Sequence, residues 1–224
     1  MKIAVQTFAS MVFGLLFFGV LLFWPAGTFD YWQAWVFIAV FTATTILPSI
    51  RLAVRNPAVL QRRMKAGPTA ETRPVQRLVI SLTVLSVMVT LVVSALDHRF
   101  GWSPVPLWLV VVGDVLVAVG LMLAQLVIAQ NAYAGASITV EDDQPLVSIG
   151  LYGVVRCPMY SGALLMMLAT PLALDSLWGL LPVAASVPIM AARIVDEERL
   201  LVEELAGYEQ YRHTVRSRLV PGVW

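Results

Sequence analysis

Six apolar stretches, separated by more polar segments, dominate the pattern of residues along this chain. They cover residues 8–25, 31–50, 75–96, 106–129, 159–174 and 177–195. The first four are long enough to cross about 30 Å of hydrocarbon at about 1.5 Å per helical residue. The last two are predicted to be short helices interrupted by Pro171, Pro182 and Pro188, so they need neighbouring helices to satisfy the backbone groups that proline leaves free. The pattern predicts an all-α, polytopic membrane bundle with about five or six transmembrane segments.

Composition agrees with a membrane protein and narrows the classes of partner. The 224 residues are 59% hydrophobic and 13% charged, and the mean hydropathy is +0.80, whereas soluble domains carry about 25% charged residues. No basic, aromatic surface of the kind that nucleic acid requires is apparent. A single cysteine excludes an intrachain disulfide, and no Cys/His grouping has metal-ligand spacing. We therefore expect a lipid membrane as the environment, no nucleic acid and no metal.

Positive charge is concentrated between the second and third apolar stretches. Its residues are Arg51, Arg55, Arg62, Arg63, Lys65, Arg73 and Arg77, with Glu71 as the one acid among them. The positive-inside rule makes this segment cytoplasmic, and six spans then put both termini on the same side. Residues 56–64 begin like a capped helix that could lie on the bilayer surface. The segment is interpreted either as a loop that sets topology or as a gate for substrate.

Two isolated polar residues fall in or beside the apolar stretches. His98 lies in the short segment 97–104, which the pattern places outside the membrane, so we expect a solvated loop residue. Asp114 lies within the fourth stretch, where an ionisable group costs a few kcal/mol. Its side chain should therefore face other helices or a water-filled cavity, in either a packing or a functional role.

Two polar clusters border the last pair of apolar stretches. The first is GLYGVVRCPMYSG at residues 150–162, and the second is RIVDEERLL at residues 193–201. A tight turn at residues 175–176 returns both clusters to the same membrane face. In the first cluster, Arg156 offers a planar fork of donors to an anion, Pro158 suits the first turn of a helix, and Gly162 permits a close approach.

These clusters resemble the signature of the isoprenylcysteine carboxyl methyltransferase family and of the related phospholipid N-methyltransferases. The shared pattern is Gly-x-Tyr-x-x-x-Arg, a Pro-x-Tyr-x-Gly segment, an apolar hairpin, and then Arg-x-x-x-Glu-Glu. Cys157 stands where the family has histidine. The tail, with Tyr208 and Tyr211, is similar to the bacterial branch of the family. The resemblance covers residues 131–224, so residues 1–130 are expected to form transmembrane helices and residues 131–224 a cofactor-binding region.

The resemblance implies an S-adenosylmethionine-dependent methyltransferase whose lipophilic or prenylated substrate comes from the bilayer to a cytoplasmic site. The cofactor contacts that it implies are Gly150, Tyr152, Arg156, Cys157, Pro158, Met159, Tyr160, Gly162, Glu197, Glu198, Tyr208 and Tyr211. The implied catalytic residues are Arg193, Glu197 and Glu198, with Arg193 as the candidate for holding an anionic acceptor. Without the resemblance, Arg193 and the two glutamates would be interpreted as a solvated helix face.

Methyl transfer from a sulfonium mainly requires that donor and acceptor be aligned and water excluded. A carboxylate acceptor is already ionised at neutral pH, whereas an amine must first lose a proton. Cys157 allows an active variant with altered cofactor contacts, a weakened or lost activity, or a deliberate substitution. A nucleophilic role for this thiol is disfavoured because no neighbouring histidine would activate it.

Two other functions remain open from the sequence. One is a membrane reductase related to the sterol reductases, which would use NADPH, although no nicotinamide fingerprint is present. The other is a catalytically impaired or non-enzymatic scaffold, which the cysteine at position 157 favours. Cofactor binding distinguishes the three functions: a methyltransferase should bind S-adenosylhomocysteine, a reductase should prefer NADPH, and a scaffold should bind neither. The sequence predicts neither the methyl acceptor nor the oligomeric state.

Overall fold

The computed structural model describes residues 2–56, 59–60, 73–134 and 144–224, and within these ranges all regular secondary structure is helical. The main helices are α1 (Lys2–Ala26), α2 (Trp32–Arg55), α3 (Pro74–Phe100), α4 (Leu107–Gln130), α5 (Pro158–Ala173), α6 (Leu180–Glu204) and α7 (Tyr208–Thr214), with a 3-10 helix at Gly150–Gly153 before α5. The predicted all-α class is confirmed.

Three of the described helical stretches are long and apolar enough to cross a membrane: Trp32–Leu52, Pro74–Phe100 and Leu107–Gln130. Val12–Ala26 and Pro158–Ala173 are shorter apolar helical stretches. Large apolar side chains such as Trp24 and Leu47 are exposed on the outside of the bundle, 82% and 68% respectively. Such an exterior is stable in lipid, so the prediction of an integral membrane bundle is confirmed.

Small residues bring α4 and α5 into close contact. A Cβ atom added to Gly120 would lie 2.6 Å from the carbonyl oxygen of Gly162, and one added to Gly113 would lie 2.5 Å from the backbone nitrogen of Ala173. Backbones this close gain van der Waals contact, which is a main source of helix association in lipid. Elsewhere α3 packs against α1 and α6, and α2 packs against α4.

The helices α2, α4 and α6 end, and α3 and α5 begin, at one end of the bundle, here called the site end. Gln130 at the end of α4 accepts a hydrogen bond from the backbone nitrogen of Leu151 at 2.9 Å, which joins α4 to the 3-10 helix. Arg193 in the second half of α6 donates to Gln76 near the start of α3 at 2.8 Å. These contacts bring both polar clusters of the sequence to the same end, as the hairpin predicts.

Two aspartates hold the opposite end of the bundle together. Asp97 is 1% exposed and accepts hydrogen bonds from Ser176 Oγ at 2.6 Å and from the backbone nitrogen of Ser103 at 2.8 Å. Asp175 accepts from the backbone nitrogen of Val105 at 2.8 Å and from Gln33 at 3.1 Å. The two carboxylates thus connect α2, the end of α3, the start of α4 and the turn between α5 and α6.

Two predictions about individual elements are wrong. His98 is not a solvated loop residue: α3 continues to Phe100, and the imidazole stacks on the ring of Tyr31 with centroids 3.8 Å apart. Gly101, whose φ of +63° ends the helix, comes one turn later than the apolar pattern suggests. The helix predicted as short over residues 177–195 is α6, which has 25 residues and accommodates Pro188.

Asp114 on α4 is only 7% exposed, so its side chain faces other helices, as predicted. Most of the basic segment 51–77, including residues 57–58 and 61–72, lies outside the described residues. The same holds for residues 135–143 of the loop before the first polar cluster.

Candidate active site

A groove of about 900 Å³, including its open mouth, lies at the site end. Its walls are formed by the 3-10 helix, the start of α5, the end of α6, α7 and the segments 131–134 and 144–147. It is lined by Asn131, Tyr133, Ala134, Gln144, Pro145, Leu146, Val147, Tyr152, Arg156, Cys157, Pro158, Met159, Tyr160, Glu197, Leu200, Leu201, Leu205, Tyr208 and Tyr211. Both polar clusters of the sequence therefore contribute to one concave surface.

Glu198 is buried beside the groove between two arginines. Its Oε1 accepts a hydrogen bond from Arg156 Nε at 2.6 Å, and its Oε2 accepts one from Arg218 Nε at 2.5 Å. The side chains of Arg156 and Glu198 are only 7% and 9% exposed, whereas that of Arg218 is 30% exposed. A buried carboxylate needs such pairing, because an isolated charge would have to leave water without compensation. Glu198 does not line the groove.

Arg156 also holds the segment 215–219, here called the C-terminal strap. Its Nη1 donates to the carbonyl oxygens of Val215 and Arg216, both at 2.8 Å. The strap in turn accepts from the backbone nitrogens of Arg156 and Cys157 at 2.9 Å. Burial lowers and the hydrogen bond to Glu198 raises the pKa of Arg156, and the net direction is upward. The guanidinium is therefore a fixed structural cation at the start of α5.

Glu197 is the acid that lines the groove. Its Oε2 accepts a hydrogen bond from the hydroxyl of Tyr160 at 2.5 Å, and that hydroxyl accepts one from Arg193 Nε at 2.9 Å. Arg193 lies one helical turn before Glu197 on α6 and is 8% exposed. The two glutamates thus point in different directions, as their adjacent positions on a helix require. Glu197 faces the groove, and Glu198 faces the C-terminal strap.

Three tyrosines form an aromatic wall of the groove. The hydroxyl of Tyr211 donates to the carbonyl oxygen of Tyr152 at 2.6 Å, and the rings of Tyr208 and Tyr211 pack edge to face at 5.5 Å. Burial raises the pKa of all three phenols, so they stay neutral. The hydroxyl of Tyr208 is buried and has no hydrogen-bond partner among the described residues. A buried polar atom of this kind is a candidate ligand contact.

Cys157 precedes the first residue of α5 and lines the groove. Burial, followed by the nearby carboxylates of Glu197 and Glu198, raises the pKa of its thiol well above the usual range. The thiol is therefore neutral at physiological pH and is a weak nucleophile. This environment agrees with the argument from the sequence against a nucleophilic role.

The other predicted site residues fall into two groups. Pro158 and Met159 line the groove at the start of α5, where Pro158 occupies the first helical position as expected. Gly162 contacts Gly120 of α4, and Gly150 contacts the side-chain amide of Gln130 with φ of +63°. Both glycines permit close packing of the elements that carry the groove, and neither lines it.

Two residues that the sequence argument did not select contact the predicted site. Arg218 is the second partner of Glu198, and Gln76 is an acceptor for Arg193. Gln76 is 0% exposed although it lies in an apolar helix. Gln76 was missed because a single uncharged polar residue near a helix end hardly changes the hydropathy pattern. Arg218 was missed because it lies in a segment without helical periodicity.

Residues 108–207 match the model of the phospholipid methyltransferase family. The chain is similar to that family over these residues, which make up fewer than half of its 224 residues. The match contains both polar clusters, α5 and α6, and it ends just before Tyr208. The C-terminal strap and the first three helices lie outside it. No protein of curated function matches the chain significantly in sequence.

The fold of the whole chain is similar to a solved structure of the eukaryotic intramembrane Ras methyltransferase ICMT, an isoprenylcysteine carboxyl methyltransferase. The TM-score is 0.50, the sequence identity is 15%, and the alignment covers 100% of this chain and 88% of the other. Residues 108–207, here called the methyltransferase region, therefore lie in a bundle with the same fold as that protein. The predicted resemblance and the predicted class, a membrane methyltransferase, are confirmed.

Proposed function

We propose that the chain transfers a methyl group from S-adenosylmethionine to a lipophilic acceptor at the site end of the bundle. The observation that carries this proposal is the groove itself, because the polar motifs of a methyltransferase region line it together. We further propose that this end faces the cytoplasm, where the cofactor is available, as the basic segment predicts.

The groove residues fit the chemistry of this cofactor. Glu197 offers a carboxylate to an ammonium or sulfonium group, and the tyrosine rings offer faces on which a base or a cation can stack. The hydroxyl of Tyr208 is a buried polar atom that needs a partner. When bound, S-adenosylmethionine supplies an activated methyl group on a sulfonium. The chain's own residues need only bind, orient and exclude water.

Arg156 lines the groove and Glu198 lies beside it, and in this proposal both act mainly by fixing the shape of the groove. Their charges are already satisfied by each other, by Arg218 and by backbone carbonyls. Rigid support of this kind preserves the alignment on which transfer between two bound groups depends. Arg193 holds Tyr160, and Tyr160 holds Glu197, so these three residues set the polar side of the groove.

A second groove, between the ends of α2 and α4, is the proposed path for the acceptor. It is mostly apolar, encloses about 1500 Å³ including its open side, and is lined by Leu47, Pro48, Arg51, Leu52, Asn56, Val59, Met122, Gln125, Leu126, Ile128, Ala129 and Ala132. Asn131 lines the first groove and the next residue, Ala132, lines the second. An apolar chain could lie in the second groove with its polar head directed towards the first.

The proposal is tested by calorimetric binding of S-adenosylhomocysteine to the purified protein in detergent. The unmodified chain should bind at micromolar concentration, and Glu197→Gln should weaken binding by about tenfold, since a charge-assisted contact contributes about 1.5–3 kcal/mol. Glu203→Gln is the matched control, because Glu203 is an exposed glutamate on the same helix. It should leave the affinity unchanged.

Cys157 supports a second candidate function, a scaffold that no longer catalyses. Cys157→His belongs in the same experiment for that reason. If only this variant binds S-adenosylhomocysteine, the chain is a scaffold disabled at one position. If neither the unmodified chain nor Cys157→His binds it, the methyltransferase proposal is wrong. Preferential binding of NADPH would favour a reductase.

The acceptor path has its own test. Ala129→Phe puts a ring into the second groove from an exposed position on α4. Methylation of a lipophilic acceptor should fall, while the affinity for S-adenosylhomocysteine should stay the same. An unchanged rate of methylation would show that the acceptor uses another path.

A further inference from the structure

Gln76 belongs to a continuous chain of hydrogen bonds that ends at the groove. Its Oε1 accepts a hydrogen bond from Arg193 Nη1 at 2.8 Å. Arg193 Nε donates to the hydroxyl of Tyr160 at 2.9 Å, and that hydroxyl donates to Glu197 Oε2 at 2.5 Å. Three helices contribute: α3 supplies Gln76, α5 supplies Tyr160, and α6 supplies Arg193 and Glu197. The chain thus joins a helix outside the methyltransferase region to the acid that lines the groove.

The orientation of the Gln76 amide is fixed by its two partners. Its nitrogen donates to the carboxylate of Asp196, which also accepts from Arg73 at 3.0 Å. A carboxylate can only accept and a guanidinium can only donate, so rotating the amide by 180° would break both hydrogen bonds. The residue is 0% exposed, and water cannot replace a lost partner there. Both partners of the amide therefore hold its oxygen towards Arg193.

We propose that Gln76 is a positioning residue that keeps Glu197 directed into the groove by holding Arg193 and, through it, Tyr160. The inference rests on the proposed function, because it assigns Glu197 to the cofactor. Gln76→Leu would remove the acceptor that Gln76 supplies to Arg193 Nη1. The guanidinium would then turn towards another acceptor, and the hydroxyl of Tyr160 and the carboxylate of Glu197 would turn with it.

The test compares Gln76→Leu in two backgrounds, the unmodified chain and Glu197→Gln, by the affinity for S-adenosylhomocysteine. Leucine is close to glutamine in volume and removes both hydrogen bonds. In the unmodified chain the affinity should fall by about tenfold, the effect expected for a lost hydrogen bond to a charged group. In the Glu197→Gln background the further loss should be less than about twofold, because the two changes act through one contact.

A complementary exchange provides the rescue. Gln76→Glu alone retains an acceptor for Arg193 but puts a carboxylate beside Asp196, so it should weaken binding. Combined with Asp196→Asn, it restores one donor and one acceptor between the two positions and should return the affinity to within about threefold of the unmodified chain. Ser94→Ala is the control, because Ser94 is another buried polar residue on α3, near the opposite end.

Equal losses for Gln76→Leu in both backgrounds would show general destabilisation and would overturn the inference, as would failure of the exchange to restore binding. If only Cys157→His binds S-adenosylhomocysteine, the Gln76 variants are compared in the Cys157→His chain, and the same outcomes support or overturn the inference. Absence of binding by both chains would overturn the proposed function and this inference with it. Equal losses in chains that do bind would overturn this inference alone.

Discussion

The pairing of Glu198 with two arginines gives the sharpest prediction about stability. Glu198→Gln keeps the shape of the side chain and removes its charge, which leaves Arg156 buried without a counter-ion. Removing one partner of a buried ion pair costs about 3–5 kcal/mol. The carbonyl oxygens of Val215 and Arg216 remain as partners and favour the lower end of that range. We therefore expect about 3 kcal/mol of destabilisation.

The assay is thermal unfolding in detergent without cofactor, so that a change in binding does not enter. For a chain of this size, each kcal/mol corresponds to about 2–4 °C in Tm, so Glu198→Gln should lower Tm by at least about 6 °C. Glu209→Gln is the matched control: Glu209 also pairs with an arginine, Arg212 at 2.8 Å, but both side chains are about half exposed. An exposed pair contributes about 0–1 kcal/mol.

A decrease for Glu198→Gln no larger than that for Glu209→Gln would refute the reasoning. It would mean that the carboxylate between the arginines is not buried, or that the C-terminal strap is not held as described. Arg218→Met should have a smaller effect than Glu198→Gln, because the side chain of Arg218 is 30% exposed and water can replace part of its contact.

Three further predictions concern other parts of the molecule. Gly120→Ala should destabilise the bundle by about 1–3 kcal/mol through overpacking against α5, whereas Gly19→Ala, where nothing lies within 4 Å, should not, as Tm will show. Asp97→Asn should lower Tm and leave the affinity for S-adenosylhomocysteine unchanged, because Asp97 lies at the opposite end. Burial raises the pKa of the Cys157 thiol, so alkylation of this thiol should be slow at pH 8.5 and accelerate only at higher pH. In the SDS-unfolded chain the thiol should already react quickly at pH 8.5, and equal rates in the folded and unfolded chains would contradict the prediction.

The apolar pattern predicts the helices because each stretch must satisfy its own backbone in lipid. It predicts their ends less well. The third helix continues past residue 96, where its apolar stretch was predicted to end, since His98 stacks on Tyr31, just before α2, and Asp97 accepts from Ser176 in the turn after α5. These partners are distant in sequence, so no local pattern contains them.

The residues of the candidate site could likewise be predicted from the sequence only in part. The motif residues Tyr152, Tyr160 and Glu197 line one groove, and a resemblance in sequence was enough to select them. Which of two adjacent glutamates faces the groove depends on the rotation of α6 in the bundle, which packing against α3 and α5 sets. Arg218 and Gln76 contact the site only after the chain has folded, and neither belongs to a motif.

The C-terminal strap also bears on how the protein is made. Arg156 and the carbonyl of Arg216 that it contacts are 60 residues apart. At a synthesis rate of about 5–20 residues per second, about 3–12 s separate their appearance. During that time a cation destined for burial must use water or lipid phosphate in place of its final partners. Substitutions in residues 215–219 should therefore reduce the amount of folded protein that the cell retains, even where the finished groove tolerates them.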